Sequence, residues 1–178
     1  MKRAWLVSII WIVFMGFIPT AFAADAAKIG VIDFEKIMKE SSAGKMNQKV
    51  LNNKGQELKG RLEKEKQALD EINRSFEREA LVLSDEKKRE KERDFRDRVE
   101  DFKKMQEDFS NELKSLEIKL INEMQKAVFD IASDLGKQEK YGLIIERKNA
   151  GVIYIPDQVD ITDLVIEKYN AMTAAQGS

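Results

Sequence analysis

The sequence lacks cysteine and histidine and has only two prolines. Without cysteine the chain can form no disulfide, so its stability depends on packing alone. Without histidine it lacks the usual general base and the commonest transition-metal ligand. No proline lies between Pro19 and Pro156. Because proline interrupts helices, a proline-free span of this length favours long continuous helices.

The first 23 residues have the pattern of an export signal. A basic start precedes an uncharged, mostly apolar stretch, and Ala21-Phe22-Ala23 forms a small-x-small cleavage pattern. We expect cleavage between Ala23 and Ala24, which would leave a soluble mature chain. The alternative is an uncleaved anchor, because the uncharged stretch from Ala4 to Ala24 is barely long enough to span a bilayer.

Residues 45–135 repeat apolar side chains at spacings of four and three, which predicts an antiparallel coiled-coil hairpin with its tip near residues 80–85. Ser84 is suited to cap the second helix. Two apolar positions per heptad make a narrow seam rather than a wide core face, so we expect a thin arm that projects into solvent. The seam residues are Leu51, Leu58, Leu62, Leu69, Ile72, Phe76 and Leu83, then Phe95, Val99, Phe102, Phe109, Leu113, Leu116 and Leu120.

After Leu120 the apolar frame slips by one residue, and it continues through Met124, Val128, Ile131 and Leu135. Such a slip predicts a local unwinding of the supercoil. Gly136 follows the last seam residue and is suited to end the helix in a left-handed conformation.

In the segments on either side of the arm, the apolar residues no longer follow the long heptad pattern and form short runs instead. Residues 28–33 predict a strand and residues 34–40 a short helix. Residues 141–147 and 152–155, separated by an Asn/Gly turn, predict a β-hairpin. Asp160 can cap a last helix, with Ile161, Leu164, Val165 and Tyr169 facing inward. We therefore expect one discontinuous, β-rich body from residues 24–44 and 136–170, and a flexible tail at 171–178.

This body is small for a chain without disulfides, and its strands are apolar on both faces. Helices of the same chain can cover one face, and a second subunit is the economical cover for the other. We therefore expect an oligomer whose contacts include Ile29, Val31, Leu143, Ile145, Val152 and Tyr154.

The order of these motifs resembles the Skp/OmpH family. The resemblance rests on Lys28-Ile29-Gly30-Val31-Ile32-Asp33, Ser41 through Lys45, Leu83-Ser84-Asp85-Glu86 at the tip, Tyr141-Gly142-Leu143-Ile144-Ile145, and Asp160-Ile161-Thr162. It implies a periplasmic chaperone that is a homotrimer. Three hairpins would then project from a shared barrel and hold an unfolded outer-membrane protein in the cavity between them, without ATP.

The net charge of this chain differs from that of several members of the family, which are strongly basic. After removal of the signal, 29 basic residues face 32 acidic ones, and residues 71–98 around the tip contain nine of each sign. Capture of acidic clients or of lipopolysaccharide by charge alone is therefore not expected. The sequence does not decide whether the chain contacts lipid or lipopolysaccharide.

Apolar residues outside the seam are candidate client contacts: Leu81, Val82, Met105, Ile118 and Ile121. The alternative is that Leu81 and Val82 only close the hairpin and that Ile118 and Ile121 pack near its base. Gly55 and Gly60 lie inside the first helix of the arm, where they can permit bending. The alternative is that Gly55 allows a close approach of the two helices and that Gly60 is merely tolerated.

Other classes of function fit less well. An adaptor coiled coil of the cell envelope usually carries a larger globular domain than the flanking residues provide. We expect no nucleic-acid partner, because acidic residues cancel the basic run that begins at Lys87. We also expect no enzyme, cofactor or metal, because no phosphate loop, histidine or cysteine is present.

Overall fold

Two long antiparallel helices dominate the structure, a computed structural model that describes residues 27–176. The elements are β1 (Ile29–Ile32), α1 (Phe34–Glu40), α2 (Ser42–Glu79), α3 (Asp85–Gln138), β2 (Leu143–Glu146), a 3-10 turn (Asp157–Val159) and α4 (Thr162–Gln176). The predicted mostly helical α+β fold is confirmed. The expected signal peptide and its cleavage between Ala23 and Ala24 lie outside the described residues.

The arm consists of α2 and the part of α3 that runs beside it. The 38 residues of α2 make it about 57 Å long at ~1.5 Å per residue. At the tip, the Ser84 side chain accepts a hydrogen bond from the Lys87 backbone N–H at 3.4 Å, as predicted for a cap. Asp85 and Glu86 occupy the first turn of α3, where negative charge interacts favourably with the helix dipole.

The seam between α2 and α3 is thin. Of the predicted seam residues between Leu51 and Leu120, only Leu58, Leu69 and Phe109 are fully buried, and the others remain partly open to solvent. Contacts between charged and neighbouring side chains add links across the arm. Lys54 Nζ lies 2.9 Å from Glu112 Oε1, and the guanidinium of Arg61 lies 4.6 Å from the centre of the Phe109 ring.

The slip in the apolar frame has a structural cause. Beyond Leu120, α3 leaves the seam with α2 and buries a face in the body core instead. That face consists of Met124, Val128, Ala132 and Leu135, with Ile131 partly buried beside them. The core also includes Ile32 from β1, Ile37 from α1, Ile161 just before α4, and Val165 and Tyr169 from α4.

The sheet of the body is parallel. β1 pairs with β2 so that Ile29 lies opposite Leu143 and Ile32 opposite Glu146. On the other edge of β1, an isolated parallel bridge joins Val31 to Asp160, and the Ile161 backbone N–H donates to the Val31 carbonyl at 3.0 Å. The core of the body therefore joins segments that are far apart in sequence.

The predicted β-hairpin is wrong. The turn at residues 148–151 forms, with Gly151 at a positive φ of 64°, but residues 152–155 do not return along β2. The chain must cross from β2 to the opposite edge of β1, where Asp160 pairs with Val31. A segment that makes this crossing cannot also pair with β2 in the same subunit.

Three smaller predictions also differ from the structure. α3 continues past Gly136 to Gln138, and Lys140 adopts the left-handed conformation instead, at φ 56°. Leu164 is exposed rather than inward, whereas Ile161, Val165 and Tyr169 are buried. Residues 171–176 continue α4, because alanine favours helix and Met172 packs against the core.

None of the helices between residues 27 and 176 combines the length and apolar character needed to cross a bilayer.

Gly44 should be indispensable to the junction between α1 and α2. A Cβ at Gly44 would lie 1.8 Å from the Met38 carbonyl oxygen, whereas a Cβ at Gly60 would meet nothing within 4 Å. We expect Gly44→Ala to lower the free energy of unfolding by more than about 2 kcal/mol. Gly60→Ala, the matched control, should raise it by up to ~1 kcal/mol. Urea unfolding at one protein concentration, followed by circular dichroism, measures both; equal effects would contradict the crowded junction.

Candidate functional site

Most exposed apolar side chains occur in three places: the tip of the arm, the base of the arm, and the open edge of the sheet; Leu164 on α4 lies outside them. The tip comprises residues 80–84. The base comprises residues 42–61 of α2 and the residues of α3 opposite them. The open edge comprises β2 and residues 152–155. The middle of the arm, between the base and the tip, has no large apolar side chain among its exposed residues.

The tip presents two aliphatic side chains to solvent. Leu81 is 92% exposed and Val82 is 84% exposed, so neither closes the hairpin by packing. Leu83, which is partly buried, follows them, and its backbone N–H donates to the Glu79 carbonyl at 3.1 Å. Their side chains are therefore free of the hairpin's packing, and their role as client contacts stays a prediction.

Glu79 joins the two helices at the tip. Although it occupies a seam position, its carboxylate accepts from Lys91 Nζ on α3 and, at 2.8 Å, from the Ser75 hydroxyl. The hydrogen bond from Lys91, and then that from Ser75, lower the pKa of Glu79. A polar residue in the seam is thus paired across the arm.

A groove of about 750 Å³ lies at the base, between α1, α2, α3 and the turn after β2. Among the candidate contacts, Ile121 lines this groove. Ile118 is half exposed and does not line it, and Met105 is partly buried. The apolar residues of the groove are Phe34, Met38, Leu51, Leu120, Ile121 and Met124.

Charges at the rim of the groove are largely paired. Glu35 forms ion pairs with Lys148 and, at 2.6 Å, with Lys39. Hydrogen bonds from these two lysines, that of Lys148 first, lower the pKa of Glu35 to about 2. The Glu146 carboxylate accepts from the backbone N–H groups of Phe34 at 3.4 Å and Asn149 at 2.6 Å.

Three of the six residues predicted to contact another subunit are exposed: Leu143 and Tyr154 at the open edge, and Ile29 on β1. Tyr154 is 79% exposed, and Ile29 and Leu143 are about half exposed. Ile145 and Val152 are partly buried. Val31 is only 3% exposed, so the fold of one chain already covers it.

Backbone groups at this edge also lack partners. The Gly142 N–H points toward β1, where it donates to the Lys28 carbonyl at 2.8 Å. Because successive residues of a strand alternate, the N–H and C=O groups of Leu143 and Ile145 point away from β1. Among residues 27–176, the backbone groups of Ile153, Tyr154 and Ile155 form no hydrogen bond either.

Sequence reasoning missed four exposed apolar residues: Met46, Val50, Phe129 and Ile153. The first three occupy helical positions outside the seam, which is the signal that identified Ile118. Ile153 was assigned to a paired strand, and this concealed its exposure of 94%. Within the described part of the chain, no group of three or more acidic side chains is placed to hold a metal ion.

The fold and these surfaces define a class of protein in which a small α/β body carries a projecting helical hairpin with apolar ends. The sequence matches the family described as "Outer membrane protein (OmpH-like)" over residues 28–169, and the chain belongs to this family. No curated protein sequence matches it.

The fold is similar to the crystal structure of an OmpH-like protein from Caulobacter crescentus CB15, which is described as a candidate outer membrane chaperone. The TM-score is 0.77 at 15% sequence identity, and the similarity covers 82% of this chain and 85% of the other.

Glu79→Gln should loosen the tip and leave the body unchanged. The substitution removes the charge that Lys91 pairs with, so we expect faster amide hydrogen exchange at residues 80–88 and unchanged exchange in α4. The Glu79 pKa is lowered in the folded arm, so the link is present above the unfolded-state pKa. It weakens as pH falls through the folded value. Equal exchange at the tip in both proteins would contradict this role.

Proposed function

We propose that this protein is an ATP-independent holdase chaperone of the periplasm. It binds unfolded outer-membrane proteins in a cavity between the arms of a homotrimer, and so prevents their aggregation during outer-membrane assembly. The observation that carries the proposal is the exposure of apolar side chains at both ends of a long charged arm. Membership of the OmpH-like family supports it, as does the described role of the protein from Caulobacter crescentus.

The arm is suited to weak, repeated contacts. An unfolded barrel protein has alternating apolar residues, and each can rest briefly on an exposed side chain of an arm. No single contact needs to be tight, because enclosure between several arms raises the effective concentration of the next contact. The charged middle of the arm keeps it solvated, so that the apolar ends do not draw arms of different molecules together.

The open edge supports assembly of several subunits. Each chain has an unpaired strand edge at β2 and an unpaired extended segment at Ile153–Ile155. Pairing the segment of one subunit with the edge of the next is a head-to-tail contact, and such contacts form a ring where the rotation between subunits closes. The Skp/OmpH resemblance implies that three subunits complete the ring.

The mature protein should suppress the aggregation of an outer-membrane barrel protein diluted from urea, without ATP. Turbidity measures suppression, and light scattering on the same sample gives the number of subunits. A monomer that leaves turbidity unchanged would exclude the holdase and favour a structural role in the envelope.

The two tip residues should contribute to client binding. We expect Leu81→Ser combined with Val82→Ser to weaken the affinity for an unfolded barrel protein roughly 10-fold, because two exposed aliphatic side chains are lost. Lys103→Ser with Lys104→Ser, at exposed positions in the middle of the arm, is the matched control. Fluorescence anisotropy measures both, and identical affinities would remove the tip from the binding surface.

Charge at the open edge should prevent assembly. We expect Ile153→Asp with Tyr154→Asp to yield monomers, because the strongly exposed apolar pair would then carry two carboxylates into the contact between subunits. Analytical ultracentrifugation measures the mass, with Ile118→Asp on the arm as the control. A variant that keeps the mass of the unmodified protein would place the subunit contact elsewhere.

A further inference from the structure

The base of α2 has a charge excess that the tip lacks. Residues 42–61 contain five basic residues and one acidic residue. Lys54 is paired with Glu57 and Glu112, and Arg61 stacks on Phe109. The remaining basic residues of this segment are Lys45, Lys49 and Lys59. Within the described residues 27–176, none of them forms an ion pair.

These three lysines lie on one face of the helix. Positions 45, 49, 52, 56 and 59 alternate in steps of four and three, so their side chains form a single row. Asn52 and Gln56 occupy the two positions between the lysines, and all five residues are exposed. We call these five residues the lysine row. It is about 21 Å long at ~1.5 Å per residue, the length of about six residues of extended chain at ~3.3 Å each.

The lysine row begins at the base groove. Lys45 lines the groove, so the apolar lining and the start of the row are continuous. The acidic residues of the lining are Glu35, Glu117 and Glu146. Glu35 is paired with lysines and Glu146 accepts two backbone hydrogen bonds. Glu117 is the remaining acidic residue of the lining, and it forms no ion pair within residues 27–176.

We infer that the base groove and the lysine row together bind an extended, acidic segment of an unfolded polypeptide. An apolar side chain of the segment enters the groove, and its carboxylates lie along the row. The inference rests on the proposed holdase function and names the chemistry of the client segment that this site accepts.

This placement separates two kinds of contact. Around the tip, basic and acidic residues are equal in number between residues 71 and 98, so its contacts with a client are apolar. At the base, unpaired lysines add an attraction that depends on the charge of the client. Attraction between exposed charges is screened over about 10 Å at 0.1 M salt, so binding at the base weakens as salt is added.

The test uses the full mature protein and a fluorescent peptide of about 10 residues in which phenylalanine and aspartate alternate. A second peptide has asparagine in place of aspartate. We expect the unmodified protein to prefer the aspartate peptide, and Lys45→Gln with Lys49→Gln to weaken that binding roughly 3- to 10-fold. Glu117→Gln should strengthen it. Lys64→Gln removes an exposed lysine of α2 beyond the row, and should change nothing.

Each outcome is decisive. Equal affinity for the two peptides, or equal effects of Lys64→Gln and of the double substitution, would overturn the inference. Unchanged unfolding curves confirm that each variant keeps its fold. Aggregation of the urea-diluted barrel protein is measured on the same preparations. Suppression without a preference for aspartate would refute the acidic-segment site and leave the holdase standing. A preference for aspartate without suppression would refute the holdase instead.

Discussion

The structure depends on α3 changing its packing partner along its length. From the tip to about Leu120 it shares a thin seam with α2, and beyond that point it buries Met124, Val128 and Leu135 in the body. The seam alone leaves most of its residues partly exposed, so the hairpin gains little from burial. Continuity of α3 into the core anchors the arm, because bending the arm away from the body would require breaking hydrogen bonds within α3.

A thin seam also determines how the arm presents its surface. Most of each helix faces water, and charged residues of both signs occupy that surface. Lys54 with Glu112, Arg61 with Phe109, and Glu79 with Lys91 hold the two helices together where burial is weak. Such pairs are individually weak at a surface, so each adds little to the stability of the arm. Its apolar side chains are exposed at the two ends, where a client can reach them.

The body differs from the arm, because a single chain leaves its sheet with an unpaired edge. A two-stranded parallel sheet has an open edge at β2, and Ile153 and Tyr154, in the connection that follows β2, are exposed. Parallel sheets are usually covered on both faces, and unpaired strand edges favour pairing with another chain. The proposed trimer supplies that pairing. In that trimer the same small body would bring the bases of the three arms together.

The helical arm was predictable from sequence because its signals are local: the spacing of Leu58, Leu62 and Leu69, and the cap at Ser84, act over one or two turns. The slip of the apolar frame after Leu120 was also visible in the sequence. Its cause, the packing of this part of α3 against the body core, was seen only in the structure. The β-hairpin was predicted wrongly for the same reason. Residues 152–155 have the composition of a strand. However, Asp160 pairs with Val31 on the far edge of β1, and residues 152–155 form part of the connection that leads there. Sequence reasoning missed the lysine row, although its spacing is visible in the sequence. Only packing shows that Lys45 lines a groove, because the groove is made by helices distant in sequence.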